Sequence, residues 1–239
     1  DKAYIIPIYN IIDRDNIVIS STMVRLYKND NPRYSGAIHE QIFVDGKNYF
    51  GHVIDANICK IYHYGYTEAI FKEKDKQERN MNIIMNQISE NSEVPFHWYN
   101  KGVMEMCEGN YDTAIDDFIK AHKLCNKTRF SFHNDLVLRL VQCILMEKKY
   151  KMAIEFIKTV VDDPIIGKIP DIYYYWGIAH ANRKNYSLAV KSFQKAIDIG
   201  EYEEGVTKYG SGSFLPKIEW AKVLIMKGKK EEAITKYKE

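Results

Sequence analysis

The chain has 239 residues, 46% hydrophobic and 28% charged, with a formal net charge of +2. That balance is ordinary for a globular protein long enough to bury a sizeable core, and so small a charge supplies no long-range field to gather nucleic acid or an anionic membrane. No apolar run approaches the length of about 18 residues that reads as a spanning helix, and the opening DKAYIIPIYN has neither the basic nor the apolar region of a secretory leader.

The first residue is Asp1 rather than Met, so this end is expected not to be the native start. Residues 5–66 hold two β-rich runs, YIIPIYNIIDRDNIVISSTMVRLY and FVDGKNYFGHVIDANICKIYHYGY. Turn signals at Asp13-Arg14-Asp15 and at Asp45-Gly46 divide them into roughly three to five short strands. Such a segment is too small to bury both faces of a sheet, lacks βαβ spacing, and would be marginal as a free-standing domain. Within it, GAIHEQI sets His39 beside Glu40. Neighbours in a strand point to opposite faces, so both can serve one site only if the backbone turns there.

The next segment, KDKQERNMNIIMNQISEN, places Met81, Ile84, Met85 and Ile88 on one stripe of a helix. This helix is expected to join the β-rich segment to the helical remainder of the chain and to cap its first repeat. From residue 93 the chain repeats itself. Trp98, Gly102, Tyr111, Ala114, Phe118 and Ala121 recur as Tyr173, Gly177, Tyr186, Ala189, Phe193 and Ala196. A degenerate copy between them has Val137, Val141, Tyr150, Ala153, Ile157 and Val160, and a fourth has Ala221, Gly228, Ala233 and Tyr237. Ala114, Phe118 and Ala121 stand at i, i+4 and i+7, so they share one helix face. The small residues let that helix approach Gly102 while the aromatic fills the space alongside. Gly109-Asn110, Lys148-Lys149, Lys184-Asn185 and Gly228-Lys229 supply the turns.

This spacing resembles the tetratricopeptide repeat, here with long linkers between the repeats. The resemblance implies an α-solenoid of about four helical hairpins, so the fold expected for the whole chain is mostly α, with a small β-rich segment in front. It also implies that the first helices line a concave groove for a peptide or protein segment. The matching positions are Tyr99, Val103, Leu138, Gln142, Tyr174, Ile178, Ile218 and Lys222. They lack the Lys/Asn set with which similar repeats clamp a C-terminal carboxylate. Alternatively, these side chains pack on a neighbouring domain or on a second copy of the chain. The last repeat stops without a polar capping helix, so the expectation is either truncation or a cap supplied by a partner, a homodimer through that end being one form of the latter.

The succession VRLYKNDNPRYSGAIHEQI, IYHYGY, KDKQERNMNII and then repeats resembles the C-terminal part of bacterial family 2 glycosyltransferases of GT-A type, among them enzymes that glycosylate peptides. The matching residues are Arg25, Gly36, His39, Glu40, His63, Gly65, Tyr66, Arg79 and Asn80. The resemblance implies sugar transfer from a nucleotide-sugar donor with a divalent metal, Mn or Mg, in the intact enzyme. His39 would be the late metal-ligating histidine, and the metal would offset charge on the leaving diphosphate. Arg25 and Arg79 would contact the diphosphate, Glu40 would orient His39 or meet the acceptor, and His63 and Tyr66 would belong to the substrate pocket.

Asp13-Arg14-Asp15 has the Asp-x-Asp form of a metal motif but precedes His39 by only 26 residues, and it reads as a solvated hairpin turn. The nucleotide-binding half is absent from these residues, so the chain alone is expected to be inactive and to carry no cofactor. The expected division is residues 1–72 as a remnant of the catalytic domain, 73–92 as the connecting helix and 93–239 as the repeat array. The reading from another class is a stand-alone repeat scaffold for protein–protein interaction. His97, His122, His133 and His180 are expected to be structural or surface residues. Cys59, Cys107, Cys125 and Cys143 form no CxxC pair and no metal-type spacing with histidine. Cys107, Cys125 and Cys143 fall in helical apolar patterns, which predicts buried reduced thiols and a cytoplasmic setting.

Overall fold

The computed structural model describes residues 3–13, 16–27, 33–35, 41–44, 47–48, 52–55, 58–63, 74–125, 130–202 and 206–238. It divides into two compact units, residues 1–92 with 203–206, and residues 93–202 with 207–239.

The first unit is built on one long hairpin. Strands β1 (Ala3–Asp13) and β2 (Asn16–Tyr27) pair antiparallel from Ala3↔Tyr27 to Asp13↔Asn16. The Asp13↔Asn16 pair closes the hairpin where the sequence places a turn. Irregularities at Tyr4/Ile5, Asn10/Ile11 and Ile11/Asp13 interrupt the register. A separate antiparallel sheet consists of β3 (Arg33–Ser35), β4 (Gln41–Val44) and β5 (Lys47–Asn48). The other edge of β1 takes two short parallel partners, β6 (His52–Val53) beside Tyr4 and Ile5, and β7 (Ile61–His63) beside Ile8 to Asn10. Strand β1 is therefore interior to the sheet, and Ile6 and Ile8, two residues apart and so on one face, are buried. Pro7, opposite Thr22, falls between the stretches taken by β6 and β7, where its missing N–H interrupts no described ladder on that edge. Among the described residues, seven strands thus occupy 3–63 where roughly three to five are expected from the pattern, the surplus being pieces of two or three residues.

Helix α1 (Lys74–Glu90) completes the first unit. Its stripe is narrower than the periodicity predicts, since Ile84 is fully buried but Met85 is 46% exposed.

The second unit consists of four helical hairpins: α2 (Pro95–Glu108) with α3 (Tyr111–Cys125), α4 (His133–Met146) with α5 (Tyr150–Val160), α6 (Pro170–Asn182) with α7 (Tyr186–Ile199), and α8 (Phe214–Met226) with α9 (Lys230–Lys238). Proline opens α2 and α6, where a missing N–H costs nothing. All four internal turns use one device. The chain passes through a left-handed residue, Gly109, Lys148, Lys184 or Gly228. The next amide then donates back to the fifth carbonyl before it, from Asn110 to Glu105, Lys149 to Ile144, Asn185 to His180 and Lys229 to Leu224. These are Schellman closures, which satisfy carbonyls that the helix end would otherwise orphan.

The apolar interior is continuous through the first three hairpins. One cluster centres on Phe118, Leu136, Leu140 and Ile144, and another on Ile157, Ile172, Phe193 and Val223; Leu145, Phe156 and Trp176 pack on both. The fourth hairpin contributes Val223 to the second of these clusters and forms a small one of its own from Ala221, Leu224 and Ala233 with Trp220. There Ile225, Met226, Ile234 and Tyr237 are 49–67% exposed.

Candidate functional site

The first helices of successive hairpins, α2, α4, α6 and α8, touch one another in series and so present one face. Of the eight positions expected to line a groove, Tyr99, Val103, Gln142, Ile178 and Ile218 are half-buried. Leu138 and Tyr174 are buried at 5% and 7% exposure. Lys222 is exposed and ion-paired to Glu219 at 2.7 Å.

Beneath this face lies a set of buried polar groups that no sequence spacing signals. The Tyr99 hydroxyl donates to Oδ2 of Asp135, and Nε of Arg139 donates to the same oxygen at 2.5 Å. This ties the first helix of hairpin one to that of hairpin two. Burial pushes the Tyr99 hydroxyl well above its usual range, and the Asp135 charge adds to the effect. Burial works against the Arg139 guanidinium, but the carboxylate beside it overrides that and holds it firmly charged. A carboxylate recurs one repeat later, since Asp171 stands relative to Tyr173 as Asp135 stands relative to Val137. Asp171 accepts from the Lys208 backbone N–H and the Ser211 hydroxyl, each at 2.6 Å, and so fastens the loop of residues 206–213 onto α6. Burial raises its carboxyl to about 6, although both hydrogen bonds pull the other way. Glu201 helps shape the same loop by accepting from the Ser213 hydroxyl at 2.5 Å.

The face therefore offers aromatic and aliphatic side chains over charges that already have partners, a surface suited to apolar contact. Two helix histidines also meet, with His133 Nε2 3.2 Å from His122 Nδ1 and the His122 ring edge-on to Phe156. Burial lowers the His122 pKa. His180 is buried at 4% exposure, and its ring lies tilted against Trp176. Cys125 and Cys143 are buried as the pattern predicts, but Cys107 is exposed: it sits near the end of α2, where the helix surface turns outward.

The residues assigned to sugar transfer are placed only in part. Gly36, His39, Glu40, Gly65 and Tyr66 lie outside the described residues. Arg25 falls in β2 at the irregularity between the pairs Tyr4–Leu26 and Ile5–Val24, and His63 ends β7 opposite Asn10. The stretch of β1 between those two levels is roughly 20 Å of strand, so Arg25 and His63 stand at different ends of the sheet. Arg79 is exposed on α1. Among the described residues, no group of three or more His, Cys, Asp or Glu is arranged to hold a metal ion.

The backbone resembles several solved repeat proteins. MamA of Desulfovibrio magneticus RS-1 is 18% identical over 68% of this chain and 82% of its own, with a TM-score of 0.56. YrrB, described as a TPR protein with an unusual peptide-binding site, is 15% identical over 70% of this chain and 78% of its own, with a TM-score of 0.53. The Cut9–Hcn1 hetero-tetramer of the APC/C contributes a chain 18% identical over 70% of this one and 28% of its own, with a TM-score of 0.52. The chain has the tetratricopeptide-repeat fold. No protein-family model matches it, and no curated protein does. Among the described residues no helix is long and apolar enough to cross a membrane.

Proposed function

We propose that the chain is an interaction scaffold whose first-helix face takes a peptide or protein segment through apolar contacts. The observation that carries this reading is the pairing of half-exposed Tyr99, Val103, Ile178 and Ile218 with a layer of internally satisfied charge beneath them. A partner that brings apolar side chains here leaves the Tyr99–Asp135–Arg139 set fully paired, whereas one that brings a charge finds no free counter-charge in that set. The likeness to YrrB, a repeat protein with a peptide-binding site, supports the same reading. The test is capture from a peptide array by the wild type and by Val103→Glu and Ile178→Glu. Both substitutions fall on half-buried positions, and retained helicity by circular dichroism checks the fold. Capture that is unchanged in both variants removes the face from consideration.

A second proposal is that the chain is the C-terminal part of a glycosyltransferase whose repeats present the acceptor. It divides the chain at 1–72, 73–92 and 93–239, and it assigns His39 to the metal, Mn or Mg, of a nucleotide-sugar site completed by residues outside this chain. It rests on the order of motifs from Arg25 to Asn80 alone, and the solved structures named above are repeat proteins rather than glycosyltransferases. An upstream reading frame with a nucleotide fold and an Asp-x-Asp motif supports it. A methionine start immediately before Asp1 overturns it, whereas turnover of a UDP-sugar by the 239-residue chain alone overturns only the expectation that these residues are inactive by themselves.

A further inference from the structure

The turns inside the first three hairpins are physically linked in series. Lys149, in the second turn, is ion-paired to Asp112 at the start of α3 in the first hairpin. A shallow depression of about 400 Å³ joins the second turn to the third; it is lined by Lys148, Lys149, Tyr150, Lys151, Met152 and Glu155 on one side and Arg183 on the other. That volume lies at the small end of ligand pockets, about 300–1,000 Å³.

The cations here differ in what they face. Lys149 is neutralised by Asp112, and Lys151 approaches Glu155 at 3.8 Å. Lys148, Arg183 and Lys184 are exposed and make no ion pair among the described residues. Lys148 and Lys184 also occupy left-handed backbone, φ 55° and 62°, at turn positions where the first and last hairpins have glycine. A lysine in that conformation costs about 1–2 kcal/mol, so local backbone preference does not account for its presence. Half-buried Tyr150 and Met152 give the depression an apolar floor between the exposed cations.

We propose that this depression is a second binding surface, separate from the first-helix face, and that it takes an acidic polypeptide segment. An Asp or Glu carboxylate of the partner lies between Lys148 and Arg183, where the guanidinium donates to it in a charge-assisted, two-pronged contact. The partner's aliphatic carbons rest on Tyr150 and Met152. A nucleic-acid backbone fits less well, because Glu147 and Glu155 interrupt the cations and the protein's net charge is only +2. An isolated carboxylate side chain can avoid those two glutamates, and a regular row of phosphates cannot.

The test is fluorescence anisotropy of the whole 239-residue chain with a short labelled peptide in which Glu residues are spaced by Leu, so that each carboxylate is isolated and flanked by aliphatic carbon. The wild type is expected to bind, with affinity falling as salt rises from about 50 to 250 mM. Lys148→Asn with Arg183→Gln is expected to weaken binding at least about fivefold; asparagine is chosen because it tolerates left-handed backbone. Lys168→Gln, one charge removed from the linker between hairpins two and three, is expected to stay within about twofold. Should the double variant fail to fold, Lys148→Gly, which relaxes the turn, must still weaken binding. The proposal is overturned if the acidic peptide does not bind, if Lys168→Gln loses as much as the double variant, or if an oligothymidylate of equal charge competes as well as unlabelled acidic peptide.

Discussion

Gly177 lies directly against the ring of Phe193: a Cβ built on Gly177 would fall 2.3 Å from Cε1 of that ring, and one on Gly102 would fall 2.7 Å from the ring of Phe118. Both rings are fully buried, so neither can move aside. The two hairpins whose helices pack around this contact are held at a spacing that only glycine permits. Gly177→Ala is therefore expected to destabilise by about 1–3 kcal/mol through overpacking, despite alanine's better helix propensity. Phe193→Ala is expected to cost about 3–5 kcal/mol as a cavity. Combining Gly177→Ala with Phe193→Leu recovers part of the loss. Urea denaturation of wild type and variants reads this out, and strict additivity of the Gly177→Ala and Phe193→Leu changes contradicts a direct contact between the two side chains.

The Asp171 carboxyl gives a pH signature. Its folded value of about 6 lies above the ordinary 3.8, so the folded protein holds this proton more tightly than the unfolded chain does. The group's favourable contribution is complete below pH 4 and is lost as pH rises from about 4 to 6, an effect of about 3 kcal/mol at most. Asp171→Asn keeps the shape without the charge. The melting temperature of the variant relative to wild type is expected to rise between pH 4 and pH 7. A difference that stays flat, or falls, across that range contradicts a raised Asp171 carboxyl.

The Tyr99–Asp135–Arg139 set separates its members by cost. Tyr99→Phe removes one donor and leaves the ion pair intact, for a loss of about 1 kcal/mol. Asp135→Ala strands a largely buried guanidinium, for a loss of about 3–5 kcal/mol. Equal losses for the two in chemical denaturation would mean that the shared oxygen is not the centre of the set.

Thiol chemistry reports burial independently. Burial pushes the Cys125 and Cys143 thiols up to about 11 and about 12, so at pH 8 neither forms thiolate in the folded protein. Titration with a disulfide reagent is expected to leave these two unreacted until denaturant is added, while exposed Cys107 reacts in the native state.

Self-association is proposed on the fourth hairpin, where Ile225, Met226, Ile234 and Tyr237 are each exposed. Sedimentation velocity is expected to show concentration-dependent mass for the wild type and a monomer for Ile234→Lys with Tyr237→Lys. A wild type that remains monomeric at high concentration removes the proposal.

Sequence periodicity locates the four hairpins because their determinants are local. Gly102 with Phe118 and Gly177 with Phe193 stand at a fixed separation, and the turn glycines at Gly109 and Gly228 mark helix ends directly. The degenerate second copy obeys the same rule of shape: Val141 is larger than glycine, and Ile157 is smaller than phenylalanine. The β-rich segment resists such reading because β1 owes its interior place to parallel partners about fifty residues away, too short to show alternation. The polar set under the candidate face is invisible for a related reason. Tyr99 and Asp135 are 36 residues apart, and Asp171 and Ser211 are 40 apart; nothing in either neighbourhood marks them as partners. Cys107 misleads because a helical pattern fixes which residues share a side but not where that side ends.

The lysines in the second and third turns give protein engineering a choice that the glycine turns of the first and last hairpins do not. Replacing Lys148 and Lys184 by glycine is the simplest route to a hardier solenoid, since it relieves two uncomfortable kinks without touching the interior. Each such replacement also strips an exposed cation from the rim, so heat tolerance and grip on an anionic guest would be set against each other at the same two residues.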